Sequence, residues 1–109
     1  MPRQDGVPPG TLSLLILRVL SAESLHGYAI SRRIAERSDG GLNVEEGSLY
    51  PALQKLLVKG WIEATPAISA TGRQIREYRL TPRGRQQLDA ERAVYDRRAR
   101  AIAAVLKPT

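Results

Sequence analysis

The sequence contains no cysteine and no phenylalanine, and only one tryptophan and one histidine. Without cysteine there is no disulfide framework and no zinc finger, and nothing favours a secreted protein. A lone His26 without cysteines or neighbouring carboxylates is not a metal site; a capping or packing role in a His26-Gly27 turn is expected instead. Without phenylalanine, Leu, Ile, Val and Ala must fill the core, which suits helices better than a thick sandwich. The apolar run Leu14 to Leu17 is far short of a bilayer span, and Met1 opens no signal peptide. A soluble, cytoplasmic protein with no membrane partner is expected. The chain also lacks a nucleophile–base pair, a Gly-rich phosphate loop and a metal constellation, so neither an enzyme nor a cofactor is expected.

What is present suits one small domain. The 109 residues allow one modest core, and a hydrophobic share of 42% argues against disorder. The formal net charge is +6 and the pI is near 10.3. A basic balance suggests a polyanionic partner, usually nucleic acid, although a merely soluble basic protein would share it.

Periodicity and punctuation divide the chain. Residues 1–10, with Pro2, Pro8 and Pro9, read as a flexible arm, and Thr11 as a helix cap. Leu12, Leu15, Ile16, Val19 and Leu20 line one face of a first helix ended by Glu23-Ser24. Tyr28, Ile30, Ile34 and Ala35 mark a shorter second helix, with Ser31, Arg32, Arg33 and Glu36 between them, broken at Asp39-Gly40-Gly41. A third helix is expected from Ser48 as N-cap, which would put Pro51 in the first turn, where no helical N–H is lost. Leu49, Leu53, Leu56 and Leu57 are its buried stripe and Gly60 its stop. Two β-prone runs follow, Trp61 to Ala64 and Gln74 to Leu80, with Pro66, Ser69, Thr71 and Gly72 in a hairpin loop. Thr81-Pro82 opens a last helix to about Leu106, roughly 37 Å at 1.5 Å per residue.

This order predicts a mainly α fold with a small β-hairpin: a winged helix-turn-helix (residues 11–81) followed by a C-terminal dimerisation helix (residues 82–109). In that arrangement the third helix enters the DNA major groove and the hairpin reaches the flanking backbone or minor groove. Opposite the leucine stripe, Ser48, Pro51, Gln54 and Lys55 are the expected DNA contacts. Ser48 and Gln54 can pair with base edges, Lys55 can reach phosphate or guanine, and Pro51 can touch a thymine methyl. Tyr50, at the edge of that face, can hydrogen-bond a phosphate. Arg73 and Arg76 on the wing supply fixed donors beside Gly72, and Arg32 and Arg33 on the second helix are expected to add backbone contacts. A solvated polar face and an ordinary charged loop are the alternatives.

Leu88, Tyr95 and Ile102 repeat at seven residues along the last helix, as do Arg92, Ala99 and Leu106. The stripe outruns any core this chain can build, so Leu88, Tyr95, Ala99, Ile102 and Leu106 are expected to pack against a second copy.

Three stretches resemble the PadR family of transcriptional regulators. They are Gly10-Thr11-Leu12 to Leu20 with His26-Gly27-Tyr28-Ala29-Ile30; Glu46-Gly47-Ser48-Leu49-Tyr50-Pro51-Ala52-Leu53 to Gly60-Trp61-Ile62; and Tyr78-Arg79-Leu80-Thr81-Pro82-Arg83-Gly84-Arg85. The resemblance covers about residues 10–106. It implies a homodimeric winged-helix protein, usually a repressor, joined through the C-terminal helix and the first helix. By position, Ser48, Tyr50, Pro51 and Lys55 match the family's recognition helix, and Arg73 and Arg76 fall in its wing. The chain departs from the family where a Glu often follows the helix-3 leucine, since Leu57-Val58 follows Leu56 here. Some short relatives bind flat aromatic compounds at the dimer centre, and Tyr95 is the one aromatic of the last helix here.

The expected function is therefore a sequence-specific, DNA-binding transcriptional regulator, a homodimeric repressor whose partners are operator DNA, a second copy and a releasing small-molecule effector. The rival readings are a winged-helix protein-interaction module and a small-molecule sensor without strong DNA binding.

Overall fold

The structure, a computed structural model, describes residues 7–109. The elements run α1 (Pro9–Leu20), β1 (Leu25–His26), α2 (Gly27–Arg37), α3 (Glu46–Val58), β2 (Ile62–Ile68), β3 (Gln74–Leu80) and α4 (Pro82–Leu106). The four helices and a three-stranded antiparallel sheet in the order β1-β3-β2 form a winged helix.

Residues 1–6 of the expected arm lie outside the described residues. From residue 7 the arm reading gives way to structure: Val7 packs against the core and α1 already begins at Pro9, with Pro8 and not Thr11 as its N-cap. The helix ends at Leu20, before Glu23-Ser24, because its last buried side chains are Val19 and Leu20.

The segment read as a His26-Gly27 turn is a two-residue strand. Leu25 and His26 pair with Tyr78 and Glu77, and α2 starts at Gly27. A strand this short carries no periodicity, so only its distant partner defines it.

The end of α2 is a Schellman closure: Gly40 N donates to the Ala35 carbonyl at 2.8 Å and Asp39 N to Glu36 at 3.2 Å. Asp39 takes a left-handed φ of 52° to make it. α3 ends the same way. Trp61 N donates to Leu56 O at 3.1 Å and Gly60 N to Leu57 O at 3.0 Å, with Gly60 at φ +75°.

α3 begins earlier than expected. Its N-cap is Glu45, whose carbonyl accepts from Ser48 N at 3.0 Å and Leu49 N at 2.9 Å. Ser48 is therefore inside the helix, and Pro51 is its sixth residue rather than a first-turn residue. The bond given up is one to the Gly47 carbonyl, and since Gly47 and Pro51 are both exposed, water can replace it.

The wing is longer than its apolar residues suggest. β2 continues through Pro66, which pairs with Arg76, to Ile68 opposite Gln74. Pro66 is tolerated because β2 is an edge strand.

The core is aliphatic. Leu12, Ile16 and Leu17 of α1, Ile30 of α2, Leu49, Leu53 and Leu56 of α3, and Ile62 of β2 are almost fully buried, with Tyr78 and Leu88 beside them. Leu57 packs at its border. Tyr28 does not join it: the residue placed on the apolar stripe of α2 is 60% exposed.

Thr81 joins the wing to α4. Its hydroxyl accepts from Gly84 N at 3.0 Å as the N-cap and donates to the Gly60 carbonyl at 2.7 Å. Leu88, expected in an intermolecular stripe, is 5% exposed within the single chain. The first two turns of α4 lie against α1, so Leu88 belongs to the chain's own core. From Arg92 onward α4 is exposed on every side, with Tyr95 at 51%, Ile102 at 58% and Leu106 at 75%.

Candidate nucleic-acid interface

The leucines of α3 face inward, so a helix turning 100° per residue must turn Gly47, Pro51, Gln54 and Val58 outward. All four are exposed, as are Ser48, Tyr50 and Lys55. The two edges of this face have different neighbours. Ser48, Pro51 and Lys55 border a small hollow shared with Val7 and Ser13 at the start of α1. Tyr50 faces the other way. It lines a groove of about 900 Å³ whose opposite wall is the wing, including Arg73 and Arg76. The Tyr50 side chain rests on the bare backbone of Gly27: a Cβ there would lie 2.7 Å from the Tyr50 Oη, and the tyrosine would have to move aside.

The wing projects its cations from a closed tip. Ser69 N donates to the Arg73 carbonyl at 2.9 Å and Gly72 N to the Ser69 carbonyl at 2.9 Å, with Gly72 at φ +84°. The Ser69 hydroxyl accepts from Arg73 N at 3.1 Å. The Arg73 backbone is thus held on both sides while its side chain stays exposed. Arg76 lies on the inner face of β3, its guanidinium 5.7 Å from the Tyr78 ring centre.

Ion pairing sorts the basic residues. Among the described residues, Lys55, Arg73 and Arg76 have no ion-pair partner. Arg79 does: across the β2–β3 ladder its Nε and Nη2 donate to Glu63 Oε1 at 2.9 and 2.6 Å. Arg33 on α2 is bonded to Glu23 and lies 3.5 Å from Glu36. The hydrogen bond and charge of Glu23, helped by Glu36, hold its guanidinium above the usual arginine range. Arg32, the other α2 candidate, lies 3.7 Å from Glu36 in an exposed pair and 5.7 Å from the Tyr28 ring centre.

The expected contacts thus fall into two groups. Ser48, Pro51, Gln54 and Lys55 share the outer face of α3, while Tyr50, Arg73 and Arg76 meet across the groove. Arg32 does not line the groove; it reaches it only through Tyr28, 5.7 Å from that ring centre. Tyr28, His26 and Glu46 also line it and were not expected there. A tyrosine in an amphipathic helix reads as core, and its exposure depends on where β3 lies. α2 and α3 both begin at this groove without a side-chain cap, and Glu46 brings a carboxylate to it.

Among the described residues no group of three or more His, Asp or Glu could hold a metal ion, and no helix is long and apolar enough to cross a membrane.

Comparison with known proteins agrees with this geometry. Residues 16–90 match the model of the transcriptional regulator PadR-like family. A transcriptional regulator of Mycobacterium tuberculosis is 30% identical over 89 residues, covering 82% of this chain and 79% of that protein. The crystal structure of a PadR-like transcriptional regulator from Bacillus cereus superposes with a TM-score of 0.77 at 26% identity, covering 92% of this chain and 95% of that one. Bacillus subtilis PadR, solved in complex with operator DNA, superposes with a TM-score of 0.67 at 30% identity, covering 76% of this chain and 47% of that one. Members of this family are transcriptional regulators, not enzymes, and the matched segment runs from the C-terminal part of α1 to the part of α4 that packs on the core. The chain belongs to the PadR-like family of transcriptional regulators.

Proposed function

We propose that this protein is a sequence-specific DNA-binding repressor that acts as a homodimer in the cytoplasm. Residues 11–81 are the DNA-binding unit and residues 82–109 the dimerisation helix. The observation that carries the reading is where Lys55, Arg73 and Arg76 stand. These three cations, without ion-pair partners among the described residues, coincide with the outer face of α3 and the groove beside it. α3 enters the major groove, where Ser48 and Gln54 meet base edges and Pro51 a thymine methyl. Lys55 meets guanine or phosphate. The wing arginines meet the flanking backbone or a narrow minor groove. Tyr50 hydrogen-bonds a phosphate at the groove.

Tyr95, Ala99, Ile102 and Leu106 pack against a second copy. Such a dimer sets two α3 helices on successive major grooves, about 34 Å apart. Release by a small-molecule effector completes the proposed regulation, and a groove of about 580 Å³ between α1, α3 and α4, lined by Trp61, Tyr95, Val94 and Lys59, lies open beside the proposed dimer helix.

The test is a fluorescence-anisotropy titration against duplex from the protein's own promoter and against a scrambled duplex at about 150 mM salt. A specific regulator prefers its operator by about 10³-fold or more. Equal weak binding to both would sink the reading and favour a protein-interaction module.

A further inference from the structure

We infer that Tyr28 is a DNA-backbone contact, a phenol held at the mouth of the groove to donate a hydrogen bond to a phosphate and raise affinity for any sequence alike. The inference rests on the DNA-binding reading above.

Tyr28 is a large aromatic at the start of α2 that the core does not take up, being 60% exposed. Its surroundings hold it nonetheless. The His26 ring lies 6.4 Å away, tilted by 31°, and the Arg32 guanidinium sits 5.7 Å from its ring centre. The Ser31 hydroxyl donates to the Tyr28 carbonyl at 2.9 Å, steadying that turn. An aromatic ring flanked by a cation on its face is more restrained than a free surface tyrosine.

Its position suits phosphate rather than bases. Tyr28 lines the same groove as Tyr50, Arg73 and Arg76, but from α2, the helix that crosses the backbone in this arrangement while α3 reads the bases. A phenol is a neutral donor, so its contact releases no counterion. Arg32 beside it is cationic, and its exposed pair with Glu36 is weak enough to yield to a phosphate. The two side chains therefore differ in salt signature.

The experiment is anisotropy titration of full-length wild type, Tyr28→Phe and Arg32→Ala against operator and scrambled duplexes over a salt series, with thermal melts of each protein. Tyr28→Phe keeps the ring and removes only the hydroxyl. It should weaken binding to both duplexes by the same factor, about threefold to tenfold, with the salt slope and melting temperature unchanged. Arg32→Ala should flatten the log–log salt slope by about 0.9 for each phosphate it no longer neutralises. Operator and scrambled affinities of Tyr28→Phe within twofold of wild type would overturn the inference while the DNA-binding reading stands. Weaker binding to the operator alone would also overturn it, by making Tyr28 a base reader. If the wild type binds neither duplex, the DNA-binding reading falls and this inference with it.

Discussion

Gly84, in the first turn of α4, lies against the main chain of Trp61 so closely that a Cβ on it would fall 1.9 Å from the Trp61 carbonyl oxygen and 2.7 Å from Leu80 Cδ1. The obstacle is backbone, which cannot swing aside as a side-chain tip can. The same Trp61 carbonyl accepts from Thr81 N at 3.1 Å. This contact sets the angle at which the long helix leaves the wing. Gly84→Ala should therefore destabilise the protein by about 3 kcal/mol or more, measured by urea denaturation. Gly47→Ala is the control: a Cβ there would meet no atom within 4 Å, and the substitution should change stability by less than about 1 kcal/mol. Equal effects at the two positions would contradict the packing described.

Asp39 stands where glycine is usual, at φ 52° in the closure of α2. The left-handed conformation costs an L-residue about 1–2 kcal/mol, less for Asp. Asp39→Gly should raise the urea midpoint by the equivalent of about 0.5 kcal/mol, after the larger chain entropy of glycine in the unfolded state is set against the relief. Gly60→Ala, at φ +75°, should lower it by about 1 kcal/mol. A lower midpoint for Asp39→Gly would mean that the aspartate contributes more than its strain.

The arginines of the wing should not be equivalent in DNA binding. Arg73 and Arg76 lack ion-pair partners among the described residues, whereas Arg79 is held by Glu63 on the neighbouring strand. Arg73→Ala with Arg76→Ala should reduce the log–log salt slope by about 0.9 for each phosphate left without its cation. Arg79→Ala should leave the slope within error, and sedimentation should find the assembly of every variant unchanged. A slope that falls equally for Arg79→Ala would show that the cross-strand pair opens to meet the duplex.

The distal part of α4 gives a separate test of assembly. Ile102, Val105 and Leu106 are 58%, 83% and 75% exposed, a cluster that a soluble helix seldom leaves uncovered. Ile102→Glu with Leu106→Glu should shift the protein from dimer to monomer in analytical ultracentrifugation at micromolar concentration. The melting temperature of the winged helix should fall only as far as dimer linkage requires. A wild-type monomer would remove the dimer from the proposal and leave DNA binding to a single α3.

The helices, their order and most of the core are legible along the chain. Leu12, Ile16, Leu49, Leu53 and Leu56 recur at helical spacing, and burial of one helix face is a local, periodic property. Gly60 and Thr81-Pro82 mark helix boundaries by local backbone chemistry, and the length of α4 follows from the run of residues before Pro108. Which cations are paired is a matter of three-dimensional placement. Arg76 and Arg79 look alike along the chain, and so do Arg32 and Arg33. Their difference lies in Glu63 across the sheet and in Glu23 ten residues away. Tyr28 and β1 follow the same logic: the position of β3 makes a strand of Leu25–His26 and leaves Tyr28 at the groove instead of in the core. Leu88 shows the converse, a residue whose spacing matches an intermolecular stripe but which the chain's own core covers. Periodicity reports which face of an element is apolar, and packing decides what meets that face.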